Sequence, residues 1–356
     1  MKIPVGILGA TGMVGQQYLF KLINHPYFEL SFLAASSASS GKTYAEAVKG
    51  RWYLEETLPE EIGNLPLHSI DDLATAKERC RLVFSAVDSA VAKNYEERYA
   101  EMGLAVVSNA SYHRQSVDVP ILIPEINADH LAIIANQRKN RGWKKGLIVV
   151  KPNCSLQSYM IPLAPLHQQF QVKRLVVTTL QAISGAGVSG LSSLSILDNV
   201  IPYIAQEERK SEIEPLKIWG KIEGDQIIPA SDIAIAAHCN RVPVVDGHMA
   251  CLSVAFSIKP KIEEILPIWE HFEGAAQQLQ LPSAPKKPIL YREESDRPQP
   301  RLDRLTGKGM VVTVGRLREC PVFDLRFTAL SHNTIRGAAG GGILNAELLV
   351  AKGWVS

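Results

Sequence analysis

Cysteine is scarce in this sequence, and no pattern pairs the cysteines or suits them to hold a metal. The 356 residues include five cysteines, an odd number without CxxC spacing, and nine histidines that form no HExxH motif. Metal sites and disulfide-rich secreted proteins show such patterns. We therefore predict no metal, and a reducing, cytoplasmic compartment rather than secretion.

An excess of one charge and long apolar runs are also absent. The net charge is +2, no basic block dominates, and no apolar run approaches the length of a membrane span. We therefore predict neither a nucleic-acid partner nor a membrane partner. With 46% apolar and 21% charged residues, the chain has the composition of a globular protein, and its length suggests two domains.

The first 150 residues alternate strand-like and helix-like segments, which indicates a parallel sheet flanked by helices. A helical pattern spans residues 13–23. The strand-like runs are KIPVGIL at residues 2–8, ELSFLAA at 29–35, RLVFSAV at 81–87 and LAVVSNA at 104–110.

The sequence changes character beyond Cys154. Three long β-rich runs, RLVVTTLQAI, MACLSVAFSI and GMVVTVGRLR, predict a second domain built on a larger sheet, mixed or mostly antiparallel. Residues 281–304 are rich in proline and charge, and we expect an exposed loop there. Residues 334–352 have a helical pattern, and their small side chains would allow close packing back onto the first domain.

A glycine-rich stretch, GATGMVG at residues 9–15, follows the first strand and opens the first helix. Glycines at such a turn let a pyrophosphate approach backbone N–H groups, and the helix N-terminus favours its negative charge. A plain glycine-rich turn would have the same composition, but the flanking strand and helix favour a dinucleotide site.

The stretch LAASSASSGK, residues 33–42, ends the second strand and indicates which nucleotide binds. An NAD site usually has an acidic residue here, which binds the ribose 2′-hydroxyl. This stretch has no acid, and its serines and Lys42 offer hydrogen-bond donors. It therefore predicts NADP over NAD, unless the serine-rich loop binds nothing.

Cys154 lies in KPNCSLQSY, residues 151–159, between an apolar strand-like run and a predicted helix. A helix N-terminus lowers a thiol pKa, so Cys154 would be activated if a helix begins near Ser155. Asn153 could donate to a developing oxyanion or could simply cap the turn. The alternative is a small buried residue. That is also our expectation for three other cysteines, Cys80, Cys251 and Cys320.

In combination and in order, several motifs resemble those of the aspartate-semialdehyde dehydrogenases, especially the archaeal and fungal branch. They are GATGMVG, PNCS, TLQAISGAG, ILDNVIPYI, EERK, CNRVPVVDGH and NTIRGAAGG, and they extend over nearly the whole chain. The resemblance implies an α/β fold: a Rossmann-type doubly wound parallel sheet plus an α+β domain with a mixed sheet, like that of glyceraldehyde-3-phosphate dehydrogenase. Residues 1–150 and 333–356 would form the NADP-binding domain, and residues 151–332 the catalytic and dimerisation domain. A homodimer or homotetramer is also implied.

The resemblance further implies a reaction. NADPH would reduce the small-molecule substrate L-aspartyl-4-phosphate to L-aspartate-4-semialdehyde with release of phosphate, in the biosynthesis of lysine, threonine and methionine. A cysteine would attack the acyl phosphate, and the resulting thioester would accept a hydride. Passing through a thioester replaces one difficult step with two easier ones.

Motif by motif, the resemblance implies roles for individual residues. Cys154 would be the nucleophile, His248 the general acid/base, and Gln181 the residue that orients the intermediate. Arg241 would bind the α-carboxylate, because a guanidinium group matches a carboxylate with two hydrogen bonds. Glu207 would meet the α-ammonium. Three residues would surround the phosphate: Lys210, Arg114 and Asn153.

The cofactor residues implied by the resemblance lie in several segments. The pyrophosphate would meet the residues of the first loop, Gly9, Thr11, Gly12, Met13 and Val14. The ribose phosphate would meet Ser36, Ser37 and Ser39, and Ser85 would lie at the crossover. The nicotinamide end would be formed by Ser184, Gly185, Asn333 and Gly337.

Two places depart from related sequences. Ala38 stands where relatives often have arginine, so the 2′-phosphate would depend on hydroxyls, backbone and Lys42. Leu156 and Gln157 follow NCS where this branch often has threonine, which would reshape the wall near the nicotinamide.

Three alternatives stay open. EPLK at residues 214–217 repeats the ExxK spacing of EERK at 207–210, although the position of EERK suits the family better. Another acyl reductase, acting on malonyl-CoA or N-acetylglutamyl phosphate, would use the same mechanism. Glu207, Lys210 and Arg241 instead favour a substrate with a free amino group and an α-carboxylate. The third alternative is a non-catalytic paralogue, which the intact site residues disfavour.

Overall fold

Two six-stranded sheets organise the chain. The computed structural model describes residues 2–187 and 190–356. One sheet is built from residues before Cys154 and the other from residues after it, as the change in sequence character predicts.

The first sheet is parallel throughout, with the strand order β3-β2-β1-β4-β5-β6. Its strands are β1 Ile3–Leu8, β2 Phe28–Ala35, β3 Leu67–Ser69, β4 Leu82–Ser85, β5 Ala105–Ser108 and β6 Leu147–Val150. Leu8 pairs with Ala34 and Ser85, Ser85 with Ser108, and Ser108 with Val150. The carboxyl ends of these strands therefore meet at one edge, where ligands bind in doubly wound sheets.

Helices flank this sheet. They are α1 Met13–Leu22, α2 Tyr44–Val48, α3 Glu60–Gly63, α4 Leu73–Arg79, α5 Ser89–Glu101, α6 Pro124–Asn127 and α7 Ile133–Arg141. Helix α1 matches the pattern predicted for residues 13–23, and its buried Tyr18, Leu19 and Leu22 share one face. The parallel doubly wound fold predicted for this half is confirmed.

The second sheet is mixed, also as predicted, with the strand order β10-β7-β11-β14-β13-β12. Its strands are β7 Val172–Gln181, β10 Ala234–Arg241, β11 His248–Phe256, β12 Ile289–Arg292, β13 Val312–Glu319 and β14 Leu325–Ser331. A separate hairpin joins β8 Lys221–Glu223 and β9 Gln226–Ile228. The β10–β7 and β12–β13 pairs are parallel, and the other pairs are antiparallel.

The helices of this half are α8 Leu156–Phe170, α9 Ser193–Ile196, α10 Glu207–Ile218, α11 Ile262–Glu270, α12 Ala275–Gln278, α13 Pro300–Asp303 and α14 Gly340–Ala351. Helix α8 packs against strands β11, β13 and β14. A π-helix, Ile335–Ala339, leads into α14. An added Cβ at Gly342 would lie 1.8 Å from the Tyr18 hydroxyl oxygen, so α14 approaches α1 closely only because this residue is glycine.

Two expectations about exposure are wrong. Residues 281–304 do not form only an exposed loop, because they contain the edge strand β12 and the short helix α13. The apolar side chain of Ile289 is buried there despite the surrounding prolines and charges. Cys251 is exposed and Cys320 half-buried, whereas Cys80 is buried as expected. Cys251 is exposed because it points outward from a strand whose neighbours Ala250 and Leu252 face the core.

Within the described ranges, no helix is both long and apolar enough to cross a membrane. The same ranges contain no group of three or more His, Cys, Asp or Glu side chains arranged to hold a metal ion.

Candidate active site

The glycine loop between β1 and α1 is shaped by close approaches that exclude side chains. Gly9 has φ +77°, and a Cβ there would lie 2.7 Å from the Ala86 carbonyl oxygen. A Cβ at Gly15 would lie 2.3 Å from the Gly9 carbonyl oxygen. Gly12 is the N-cap of α1 and gives the helix no side-chain cap. The first N–H groups of α1 therefore have no side-chain partner from the N-cap, as an anion site at a helix N-terminus requires.

The other residues expected at the pyrophosphate and ribose phosphate differ in accessibility. Thr11, Met13 and Val14 are half-buried. Ser36 and Ser37 are exposed just beyond the carboxyl end of β2, as the expected contact with a ribose phosphate requires. Ser39 is buried and offers its hydroxyl less readily.

A cleft of about 490 Å³ brings most of the predicted catalytic and substrate residues together. Predicted residues in its lining are Val14, Arg114, Asn153, Cys154, Gln181, Gly185, Glu207, Lys210 and Arg241. A larger cavity, of about 790 Å³, is bordered by Lys21 and residues 282–287 and contains none of the predicted site residues. Size alone would therefore select the wrong cavity.

The cleft also contains residues that the sequence analysis missed. They are Ala86, Val87, Asp88, Ser89, Asn109, Ser111, Ala186, Ile204 and Ala205. Several of them follow β4 and β5 at the carboxyl edge of the first sheet. That edge is where a doubly wound sheet places its ligands, so the predicted strands carried a usable signal.

Cys154 lies directly before Ser155, the N-cap of α8, so the helix begins where the sequence predicts. The expected lowering of the thiol pKa is wrong. Burial raises the pKa of Cys154 and the nearby Glu207 carboxylate adds to this, while the positive charges of Lys151, Arg114 and Arg241 oppose it. Burial also lowers the pKa of Lys151 to about 7, which weakens the strongest opposing charge near neutral pH.

Asn153 fixes the turn that presents Cys154. Its Oδ1 accepts hydrogen bonds from the Ser155 N–H at 3.0 Å and the Ser155 hydroxyl at 2.8 Å. Its Nδ2 donates to Glu207 Oε1 at 2.8 Å, and its backbone N–H donates to Glu214 Oε2 at 2.7 Å. Asn153 is therefore a turn residue, one of the two interpretations that the sequence allowed, and its amide is bound to Glu207.

Glu207, the first residue of α10, connects three predicted site residues. Its Oε1 accepts from Asn153 and, at 2.9 Å, from Lys210 Nζ. Its Oε2 accepts from Gln181 Nε2 at 3.2 Å. Glu207 is thus a buried carboxylate facing the cleft, and Lys210 is its charge partner.

Arg241 and His248 meet around the turn after β7. Arg241 Nη1 donates to the Ala182 carbonyl oxygen at 2.7 Å, and the Ala182 N–H donates to His248 Nδ1 at 3.0 Å. Burial, together with the charge of Arg241, lowers the pKa of His248 to about 3. His248 is therefore neutral at pH 7, and its ring proton lies on Nε2 because Nδ1 accepts a hydrogen bond.

His248 does not itself line the cleft. Its side chain has no exposed surface, and Nε2 has no hydrogen-bond partner among the described residues. A Cβ at Gly185 would lie 3.0 Å from this Nε2 atom and 2.8 Å from Arg241 Nη1. Gly185, which lines the cleft, therefore packs directly against His248, and any larger side chain there would displace both groups.

The residues expected near the nicotinamide are joined to one another, and Gly337 packs against Cys154. Asn333 Nδ2 donates to the Ser184 hydroxyl at 2.8 Å, and Asn333 Oδ1 accepts from the Gly247 N–H at 2.8 Å. A Cβ at Gly337 would lie 2.9 Å from Cys154 Cβ. Ser85, in contrast, is fully buried at the end of β4, and it is the following residues that reach the cleft.

Leu156 and Gln157 do not reshape the cleft wall as the sequence suggested. Both side chains are buried in α8. Gln157 Oε1 accepts from Arg336 Nε at 3.1 Å, and Arg336 makes two hydrogen bonds, at 2.8 and 2.7 Å, to the buried Glu125 carboxylate. Gln157 therefore ties α8 to the π-helix behind the site.

Two family models match the two halves of the chain. The model for "Semialdehyde dehydrogenase, NAD binding domain" matches residues 4–134, and that for "Semialdehyde dehydrogenase, dimerisation domain" matches residues 163–336. The chain is also 44% identical to the aspartate-semialdehyde dehydrogenase of Methanothermobacter thermautotrophicus, over 98% of this chain and 99% of that protein. It is 45% identical to the Candida albicans protein of the same name, over 98% of both.

A solved structure agrees with these matches. The crystal structure of aspartate semialdehyde dehydrogenase with NADP from Candida albicans has a TM-score of 0.91 and 42% identity, covering 99% of this chain and 100% of the other. The chain belongs to the aspartate-semialdehyde dehydrogenase family.

Proposed function

We propose that the protein reduces L-aspartyl-4-phosphate to L-aspartate-4-semialdehyde with NADPH and releases phosphate, as a step in the biosynthesis of lysine, threonine and methionine. The observation that carries the proposal is the composition of the cleft. A half-buried thiol lies there beside a carboxylate, three cationic side chains and an amide: Cys154, Glu207, Arg114, Lys210, Arg241 and Gln181. These groups complement a substrate that has an ammonium, a carboxylate and a phosphate.

NADP fits the residues of the first half. Gly9, Gly12 and Gly15 leave the helix start open for a pyrophosphate. Ser36 and Ser37 are exposed at the position expected for the ribose phosphate, and the stretch at residues 33–42 contains no carboxylate that would repel it. When bound, NADPH supplies the hydride. Ser184, Gly185, Asn333 and Gly337 would lie at its nicotinamide end, close to Cys154.

The chemistry begins at Cys154. Cys154 reacts as the thiolate: its sulfur forms a bond to the acyl carbon while the carbon–oxygen bond to phosphate breaks. Once the thioester has been reduced, the carbon–sulfur bond would break, which would release the aldehyde and return the thiolate of Cys154. Arg241 would hold the α-carboxylate, Glu207 the α-ammonium, and Arg114, Lys210 and Asn153 the phosphoryl group. Gln181, held by Glu207, would orient the intermediate.

His248 is the proposed acid/base group, and its geometry restricts that role. The Nε2–H group can donate a hydrogen bond to the acyl oxygen as negative charge develops there, while the proton stays on the ring. To accept the thiol proton at Nε2, the ring proton would first have to move to Nδ1. That move would break the hydrogen bond from the Ala182 N–H. In this arrangement His248 is therefore better suited to donate a hydrogen bond to the acyl oxygen than to accept a proton from the thiol.

We further propose the domain limits, the assembly and the location. The NADP-binding domain would comprise residues 1–150 and 333–356, because the terminal helix packs on α1. Residues 151–332 would form the catalytic domain and the interface of a homodimer or homotetramer. Analytical ultracentrifugation would distinguish the two oligomers. All five cysteines are free, in keeping with a cytoplasmic protein.

A cofactor and substrate panel tests the function. Purified protein is given aspartate semialdehyde and phosphate with either NADP or NAD, and the absorbance of reduced cofactor is followed. We expect turnover with the semialdehyde and a preference for NADP. Turnover only with malonate semialdehyde and CoA, or only with N-acetylglutamate semialdehyde, would contradict the proposed substrate. NADP binding without any turnover would favour a non-catalytic protein.

A further inference from the structure

The second ExxK pair of α10, Glu214 and Lys217, has no role in the reaction described above. Both residues are buried, with 1% and 3% of their surface exposed, and neither lines the cleft. Buried charges are costly unless paired, so their partners indicate what they do.

Glu214 connects two parts of the active site. Its Oε1 accepts from Arg114 Nη1 at 2.9 Å, and its Oε2 accepts from the Asn153 backbone N–H at 2.7 Å. Asn153 directly precedes Cys154, and both Arg114 and Asn153 line the cleft. One buried carboxylate therefore sets the position of the guanidinium group relative to the loop of the nucleophile.

Lys217 holds the backbone from which Arg114 projects. Its Nζ donates to the carbonyl oxygens of Arg114, Ser116 and Val119 at 2.7, 2.6 and 2.7 Å. Three ammonium protons thus meet three acceptors. Glu214 fixes the side chain of Arg114, and Lys217 fixes its main chain.

Arg114 is fixed by hydrogen bonds to the protein and still has N–H groups available to bind an anion. Its Nη2 donates to the Asn109 carbonyl oxygen at 2.7 Å. Its Nε is buried and has no partner among the described residues. Its Nη1 and Nη2 groups each have a second proton, and because Arg114 lines the cleft, these protons can meet an anion there.

We propose that Glu214 and Lys217 are positioning residues, which orient Arg114 toward the phosphoryl group of the substrate and the phosphate of the reverse reaction. The proposal rests on the proposed function, in which Arg114 contacts phosphate. Glu207 and Arg241 would bind the amino-acid part of the substrate. In the described structure, neither is hydrogen-bonded to Glu214 or Lys217. The proposal therefore predicts an effect that is specific to phosphate.

The test is the reverse reaction, with phosphate, semialdehyde and NADP varied in turn. In Glu214→Gln, an NH2 group replaces one carboxylate oxygen and cannot accept a hydrogen bond. Either Arg114 or the Asn153 backbone N–H therefore loses its acceptor. We expect the KM for phosphate to rise about 10- to 100-fold, as expected for loss of one charge-assisted hydrogen bond. The KM values for semialdehyde and NADP should stay within about twofold.

Two further variants separate positioning from folding. Glu214→Asp keeps both acceptors and should restore part of the phosphate KM. Glu212→Gln changes a half-buried glutamate of the same helix, which accepts from the Ala237 N–H at 3.2 Å, and should leave all three KM values unchanged. A fall in kcat with three unchanged KM values in Glu214→Gln and Glu214→Asp would mean a purely structural role and would overturn the proposal.

Calorimetry with inorganic phosphate tests the positioning separately from turnover. If the wild type does not turn over, the proposed function fails, but weaker phosphate binding by Glu214→Gln or Glu214→Asp than by wild type would still support the positioning role. Equal phosphate binding by wild type and the folded variants would rule that role out.

Discussion

Helix α10 contains two ExxK pairs with the same spacing and opposite surroundings. Glu207 and Lys210 bind each other at 2.9 Å and line the cleft, and 27% of the Lys210 side chain is exposed. Glu214 and Lys217 are buried and turn to separate partners. Seven residues are nearly two helical turns, so the pairs share one face about 10 Å apart along the axis. Burial depth, which the residue spacing does not encode, therefore separates the cleft-facing pair from the buried pair.

Loss of the proposed nucleophile, Cys154, should reduce turnover more than a change in either ExxK pair. Cys154→Ala removes the only atom proposed to form a bond with the substrate, so we expect kcat to fall by about four orders of magnitude or more. Thermal unfolding should stay close to wild type, because the side chain is half-buried and lines a cleft. Steady-state assays and a thermal melt measure the two quantities. Turnover close to wild type would eliminate the thioester mechanism.

The cleft-facing pair should show its effect in catalysis. Glu207→Gln removes the charge that would meet the α-ammonium and weakens the hold on Asn153, Gln181 and Lys210. We expect kcat/KM for the semialdehyde to fall by about 10²- to 10³-fold, the effect of disrupting a buried charged partner. Glu208→Gln, next to it on α10, is the matched control. Equal losses in both variants would show that general damage to the helix, and not the cleft, is responsible.

Lys217, of the buried pair, should also contribute measurably to stability. Lys217→Met leaves the carbonyl oxygens of Arg114, Ser116 and Val119 without their donor. We expect the free energy of unfolding to fall by about 3 kcal/mol, the usual cost of such a loss. Thermal melts of the variant and of Lys221→Met, an exposed lysine in the nearby hairpin, measure it. A melting temperature like that of the control would mean that Lys217 stabilises little.

The Glu207 charge should also be detectable at the thiol. Burial and Glu207 raise the pKa of Cys154, so the thiolate fraction, and with it the alkylation rate, should rise about tenfold per pH unit between pH 6 and 8. Removing a negative charge favours the thiolate, so Glu207→Gln should alkylate faster than wild type at pH 7. Iodoacetamide labelling read by mass spectrometry of the Cys154 peptide excludes the exposed Cys251. A plateau below pH 7 would contradict the raised pKa.

Local sequence predicted those features that depend on local patterns. Alternating strand and helix patterns predicted the first sheet, long β-rich runs predicted the second, and the pattern after Cys154 predicted the start of α8. β12 was missed because its four residues, ILYR, lie between prolines and charges. The strand forms through pairing with β13, a contact that is distant in sequence.

The candidate site was harder to predict where burial and polarity compete. The helix start at Ser155 was foreseeable. The pKa of Cys154, however, depends on burial and on the Glu207 carboxylate, which is 53 residues away in the sequence. The sequence analysis placed Gln157 at the wall of the cleft. The residues that hold it elsewhere, Arg336 and Glu125, are distant in sequence and could not be inferred from the local pattern. His248 was predicted by motif, but the hydrogen bond that fixes its tautomer comes from the Ala182 backbone, which no side-chain pattern reveals.

The smallest effect should come from the ribose-phosphate loop, far from both pairs. Ala38 is exposed between Ser37 and Ser39. Ala38→Arg adds a cation beside the proposed 2′-phosphate, and we expect the KM for NADP to fall about three- to tenfold, because an exposed ion pair contributes only about 1 kcal/mol. The KM for phosphate and the melting temperature should not change, in contrast to the Glu214 and Lys217 variants. Steady-state assays with NADP and NAD at two salt concentrations measure the effect, which should weaken at high salt. An equal fall in the KM for NAD would show that the arginine does not recognise the 2′-phosphate.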